Sequence, residues 1–186
     1  MDEKKSRQSW LDAGLQALAD SGPQGLRIMP IAAQLGVTKG SFYWHFKDLQ
    51  EYELALLQEW EHNQTQHAIA SVEKTGGDAH ARLRNLFTGA SGIASVDFAL
   101  SRAMRTWSLT HESARLAQAA VDQKRLLYLA RLLRDVGWSK GEAETLARWT
   151  YGALIGLARL DVPAMTPKQL ALIVKTLTPD PADACA

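Results

Sequence analysis

Residues 36–46 read GVTKGSFYWHF, and Phe42, Tyr43, Trp44, His45 and Phe46 set five rings side by side on little more than one helical turn. A helix buries only one stripe of such a turn, so some rings must face outward. Phe42 and Phe46 stand four apart, the spacing at which side chains share a face, and pack inward together with Val37. That leaves Thr38, Lys39, Ser41, Tyr43, Trp44 and His45 toward solvent or a ligand.

The flanks frame this stretch as the second half of a helix pair. Ile28, Ile31, Ala32 and Leu35 follow the i, i+3, i+4, i+7 pattern of a short amphipathic helix. Pro30 falls in its first turn, where a missing N–H is tolerated. Gly36 permits the left-handed residue that ends a helix sharply. Thr38 is placed to cap a next helix from Lys39 to about Phe46. Two short helices joined by a glycine turn form a helix-turn-helix. Hydroxyls and ring nitrogens on its outer face suit phosphate oxygens and base edges, Lys39 and Lys47 add charge at either end, and Gly40 lets the backbone come close to a partner. Plain core packing also explains a short aromatic helix, and the residues alone leave both readings open.

Helical periodicity continues along the chain, and strand signals are nearly absent, so the fold class expected is all-α with about nine helices. The first covers roughly Lys5–Ser21, with Trp10, Gly14, Ala17 and Leu18 on one face. A long helix starts near Asp48, where Asp48 and Glu51 have capping-box spacing, and runs to about Lys74. Two helices lie between Ala79 and Ser108 with a break near Gly92–Val96, and another spans about Ser113–Val136. Capping boxes at Ser139/Glu142 and Thr166/Gln169 start helices at about Lys140–Leu160 and Pro167–Thr178. The tail PDPADACA reads as frayed.

The 186 residues suffice for a core without staples, and a net charge of +1 does not by itself announce a nucleic-acid partner. The single cysteine, Cys185, cannot form an internal disulfide. The charged N-terminus lacks the apolar core of a signal peptide, and the apolar run GALIGLA is too short to span a bilayer. A cytoplasmic protein without membrane contact is expected. Catalysis is not: none of the five histidines forms an i, i+4 metal pair, and GASG at 89–92 falls short of a nucleophile elbow. No metal and no cofactor are expected.

The segment GLRIMPIAAQLGVTKGSFYWHFKDLQE resembles the N-terminal module of the TetR family of bacterial transcriptional regulators. Ile31-Ala32, Gly36-Val37-Thr38, Ser41, Tyr43-Trp44-His45-Phe46 and Lys47 carry the resemblance. DFALSRAMRTWS, VDQKRLLYLARLLRDVGW and ARWTYGALIGL look more loosely like the family's ligand-domain helices. The resemblance implies a DNA-binding domain over 1–47 and a ligand-binding and dimerisation domain over 48–186, with 48–74 as the connecting helix. It implies a homodimer released from a palindromic operator by a small molecule. A ligand-responsive activator, or an all-helical interaction module without DNA binding, remains the alternative. Ser41, Tyr43, Trp44 and His45 stand where the family touches DNA, and Lys47 where it touches phosphate. Thr38, Lys39 and Gly40 complete the expected interface. Two positions depart from the pattern. Leu49 replaces a phosphate-binding lysine, and Arg27 replaces a capping Ser or Thr while remaining able to reach a phosphate. Lys4, Lys5 and Arg7 add a candidate basic arm.

The helix expected at Lys140–Leu160 is apolar nearly all round its second half, and Gly152 and Gly156 allow close approach of another helix. With the last helix, which is amphipathic through Leu170, Ile173, Val174 and Leu177, it is expected to pair across a twofold axis. Phe98, Trp107, Tyr128 and Trp149, with Phe87 nearby in sequence, are the aromatic candidates for a small-molecule pocket. Arg102, Arg105, His111 and Arg148 are candidate polar anchors. These arginines favour an anionic or carbonyl-bearing compound, but surface pairs with Asp122, Glu142 or Glu144 explain them equally well.

Overall fold

A computed structural model describes residues 5–89, 97–160, 163 and 165–179. Lys4, the Gly92–Val96 break, Cys185 and the tail from Asp180 lie outside them. Among the described residues every regular element is helical: α1 (Arg7–Ser21), α2 (Ile28–Leu35), α3 (Lys39–Tyr43), α4 (Leu49–Glu61), α5 (His67–Thr75), α6 (Ala79–Thr88), α7 (Phe98–Trp107), α8 (Glu112–Asp135), α9 (Lys140–Arg159) and α10 (Pro167–Thr176). A π turn, His62–Gln66, joins α4 to α5 without a break. Counted as one run, α4 to α5 brings the described helices to the expected nine. None of them is long and apolar enough to cross a membrane.

The chain divides into two compact units. The first comprises the N-terminal residues through His62 together with Asp97–Ala120; the second comprises Asn63–Val96 and Val121 onward. In the first unit α1 packs with α2 and α4, α3 packs with α2, and α7 packs on α1. Its core is aromatic. The Phe42 ring lies 5.3 Å from Trp10 and 5.4 Å from Tyr52, edge-on to both, and Phe46 is 4.8 Å from Tyr52. Trp10, Phe42, Phe46 and Tyr52 are fully buried. Burying each such ring stabilises by roughly 1.5–3 kcal/mol, and edge-to-face contact adds about 0.5–1.5 kcal/mol. The Tyr52 hydroxyl donates to the Trp10 carbonyl at 2.5 Å, so the one polar atom on that ring is satisfied inside the core.

The second unit centres on Leu83 and Phe87 of α6, Leu129, Leu132 and Leu133 of α8, Ala147 of α9 and Leu170 of α10. The expected helix starts are there with their side-chain bonds. Ser139 with Glu142 and Thr166 with Gln169 each form a full capping box. Trp138 Nε1 donates to the Leu177 carbonyl at 2.8 Å, tying the turn before α9 to the end of α10. Gly137, at φ 117°, makes the turn that a side chain would resist. On the outward side of α9, Trp149 is 67% exposed, and Cβ positions built at Gly152 and Gly156 meet nothing within 4 Å.

Candidate nucleic-acid interface

Helix α2 stops where expected. Gly36 is left-handed, at φ 68° and ψ 32°; its N–H reaches the Ala33 carbonyl at 3.1 Å, and the Val37 N–H reaches Ala32 at 3.0 Å. The added Cβ at Gly36 would meet no atom, so the backbone angle and not crowding asks for glycine there. Val37 and Thr38 then turn the chain into α3.

Helix α3 is shorter than expected. Regular helix ends at Tyr43 rather than near Phe46. One further loose turn carries on, with both the His45 and Phe46 N–H groups on the Phe42 carbonyl. Sharing one acceptor tightens this end and swings Phe46 under Phe42, where the core holds it. Phe42 and Phe46 are therefore inward, as the spacing demanded, and Val37 is half-buried beside them in the fold.

The outer face carries most of the expected set. Thr38, Lys39, Gly40, Tyr43, Trp44 and Lys47 are exposed and Ser41 half-exposed. Tyr43 is 52% exposed, and the Lys39 ammonium lies 5.8 Å from its ring centre. Thr38 takes the N-cap place of α3 with extended backbone, but its hydroxyl makes no capping bond. A methyl at Gly40 would touch only the Thr38 hydroxyl, at an ordinary 3.6 Å. Nothing inside the protein requires glycine at that point, and a closely approaching external partner would.

His45 departs from the expected outward placement. Its Nε2 lies 2.8 Å from the Lys5 carbonyl and the ring is half-buried. The imidazole joins the residue leading into α1 to the end of the segment that follows α3. Arg7, one residue inside α1, stacks its guanidinium 5.0 Å from the Phe46 ring centre. The sequence offered no marker for either contact beyond the position of the basic leader.

The two positions that depart from the expected pattern sit at the starts of two different helices, Leu49 in α4 and Arg27 before α2. Asp48 accepts the Glu51 N–H at 2.9 Å, and Glu51 accepts the Lys47 N–H at 2.9 Å. Two carboxylates thus occupy the amides that a phosphate would need at this helix start. Leu49, 37% exposed, brings no charge to the place. Arg27 sits in the cap position of α2, exposed and without a side-chain capping bond. It remains available to an anion, as Leu49 does not.

The four ligand candidates fall in different surroundings. Phe98 opens α7, half-buried, and Trp107 closes it at 3% exposure; both belong to the first unit. The Trp107 ring lies 5.1 Å from His111. His111 Nδ1 accepts the Ala114 N–H at 3.4 Å, capping α8, while its Nε2 faces Glu53 of α4 at 3.4 Å. Burial pushes the Glu53 carboxyl above the usual carboxylate range, and His111 pulls part of that shift back. Tyr128 belongs to the second unit. It is buried, and its hydroxyl donates to Glu73 at 2.8 Å. Burial, and then Glu73 itself, push that phenol well above its ordinary value. Trp149 shares the second unit but faces outward. Among the described residues no three His, Cys, Asp or Glu side chains come together to hold a metal.

Comparison with known proteins bears on this interface directly. Residues 11–51 match the family described as bacterial regulatory proteins, tetR family. The chain is 29% identical over 85 residues to the HTH-type transcriptional regulator AcrR of Shigella flexneri, covering 46% of this chain and 40% of that protein. It is 34% identical over 61 residues to the HTH-type regulator TtgW of Pseudomonas putida, covering 33% of this chain and 46% of the other. The matches thus span less than half the length of these relatives. In fold the likeness is longer. A transcriptional regulator from Rhodococcus sp. superposes with TM-score 0.72 at 20% identity, covering 93% of this chain and 94% of the other. Reduced Escherichia coli NemR superposes with TM-score 0.71 at 18% identity, covering 95% and 100%. Residues 11–51 thus carry a segment similar to the tetR family of bacterial regulatory proteins, and the fold around it is shared with solved transcriptional regulators.

Proposed function

We propose that the chain is a sequence-specific DNA-binding transcriptional regulator, a repressor that sits on a palindromic operator as a homodimer and leaves it when a small molecule binds. The observation that carries this is the outward face of α3. Tyr43 and Trp44 stand exposed beside Lys39 and Lys47, on a scaffold whose inward rings are completely buried. A core helix would not spend two large rings on solvent, and a double helix uses both their hydroxyl or imino groups and the flanking charge. Thr38, Gly40 and Ser41 enter the major groove with them. His45 acts by holding the N-terminal leader, so that Lys5 and Arg7 are brought toward the phosphates. Arg27 takes over the phosphate contact that Leu49 cannot make.

The dimer uses the outward side of α9 with α10. Trp149, Leu160 and Leu172, 67%, 58% and 62% exposed, supply apolar surface for that contact. Trp149 fits that symmetric contact better than an enclosed pocket. The effector is a largely apolar molecule that meets Phe98 and Trp107 of the first unit. It weakens operator binding by preferring the state whose recognition helices are wrongly spaced, which requires a coupling of about 1–3 kcal/mol. In this reading the protein acts without cofactor in the cytoplasm, where the operator is.

The test is selection of duplexes from random DNA, followed by titration of the selected sequence at several salt concentrations. A twofold site is expected, with half-sites about 34–36 Å apart. Tyr43→Ala should weaken all sequences. A protein that enriches no duplex, or binds it with no dependence on salt, would sink the reading.

A further inference from the structure

Helices α4 and α5 form one run with a π turn, His62–Gln66, set into it. A π turn carries one residue more than an α turn and has poorer hydrogen-bond geometry, so it persists where something holds it. Here the holder stands on another helix. Arg125 of α8 donates from Nη2 to the Gln64 carbonyl at 2.9 Å and from Nε to the Thr65 hydroxyl at 3.1 Å. Thr65 is 1% exposed. One guanidinium edge thus grips two successive residues of the turn, a fork that an ammonium cannot reproduce.

The guanidinium is held in its turn. Nη1 reaches the Tyr151 hydroxyl of α9 at 3.5 Å, and that hydroxyl donates to Asp122 at 2.7 Å. Arg125 interrupts the buried stripe of α8 that runs through Val121, Leu129 and Leu132. A bundle built only for stability would carry an apolar residue there, because a half-buried cation costs desolvation that its partners merely offset. All five residues belong to the second unit. Gln64, Thr65, Asp122 and Arg125 follow within a few residues of the two points, after His62 and after Ala120, at which a helix carries the chain from the first unit into the second.

We propose that the Arg125 network is a register lock, which fixes the extra residue of the α4–α5 run at His62–Gln66 and thereby sets the phase of α4. The proposal rests on the regulatory reading above, in which α4 follows directly on the recognition segment. With the lock open the extra residue can migrate along the run. Each step of migration turns the helix between its old and new places by roughly 100°.

Amide exchange of the full-length protein tests the lock, and operator titration tests what it controls. Arg125→Lys keeps the charge and loses the fork; Thr65→Val removes only the hydroxyl. Arg131→Lys, on the same helix but bonded to Glu73, serves as the control. Arg125→Lys should speed exchange at residues 62–69 by about tenfold or more, with α1 and α10 unchanged, and shift operator affinity severalfold. Thr65→Val should do the same more weakly, and the control should do neither. Exchange that stays unchanged at the π turn in both variants, or that rises evenly along the chain, overturns the lock. A local rise with operator affinity untouched overturns its regulatory role. If the wild-type protein binds no duplex, the regulatory reading fails, and the exchange measurement still decides the lock.

Discussion

Replacing Gly14 by alanine puts the recognition scaffold under the most direct strain. In an exposed helix the change would stabilise, by about 1 kcal/mol of propensity. Gly14 is not exposed: α4 crosses α1 there. The new methyl would overlap the Tyr52 hydroxyl and stand 2.9 Å from Leu56 Cδ2. Room appears only if Tyr52 moves, and Tyr52 is fully buried and donates to the Trp10 carbonyl. Overpacking of this kind costs about 1–3 kcal/mol, and a buried hydroxyl torn from its acceptor about 1–3 kcal/mol more. After subtracting the propensity gain, a net loss near 3 kcal/mol is expected, a fall of about 6–12 °C in Tm for a chain of this size. Thermal unfolding followed by circular dichroism measures it. Adding Tyr52→Phe removes the atom struck first, so the double variant should be more stable than the sum of the two losses by about 1 kcal/mol or more. A Gly14→Ala protein as stable as wild type, or strictly additive losses in the pair, would refute the close approach of α1 and α4 as the reason for glycine.

A Cβ at Gly156 meets nothing within 4 Å, so the Gly156→Arg chain should fold normally, sediment as a monomer and lose operator binding; a variant that remains dimeric at micromolar concentration removes α9 from the interface. Lys47→Ala should lower the slope of log affinity against log salt by about one ion per half-site, measured by fluorescence anisotropy, and an unchanged slope takes Lys47 off the phosphate. Glu53→Gln tests the buried carboxyl. Its pKa in the fold is raised, so its contribution is present below the ordinary glutamate value and is lost as pH rises through the folded value. Wild type should therefore lose stability relative to Glu53→Gln as pH climbs above the ordinary value, in paired urea melts; parallel curves would show that burial does not control this carboxyl.

Much of the fold was legible because its signals are local. Ser139 and Thr166 sit three residues before the Glu142 and Gln169 that complete their boxes, and Gly36 ends α2 by its own backbone freedom. The inward pair Phe42 and Phe46 followed from spacing alone. What escaped depends on residues far apart in the chain. His45 meets the carbonyl of Lys5, forty positions away, and nothing in the sequence near His45 reports it. The shortfall of α3 after Tyr43 comes from the core drawing Phe46 beneath Phe42. The π turn at His62–Gln66 lay hidden inside a helical pattern, since one added residue shifts the periodicity only slightly and its holder, Arg125, stands on another helix. The exposure of Trp149 was not legible either, because an apolar ring on a bundle helix does not say which way it faces.

Because α7 packs on α1 inside the first unit, the headpiece is discontinuous in the chain. Swapping operator specificity between regulators by grafting residues 1–47, or even a contiguous piece ending at His62, would leave behind Leu100, Met104 and Trp107, which are buried in this unit. A recipient with different side chains on its own α7 would receive a head that does not fit its neck. Chimeras should therefore carry Asp97–Ala120 along with the N-terminal segment, or confine the exchange to the outward residues of α3.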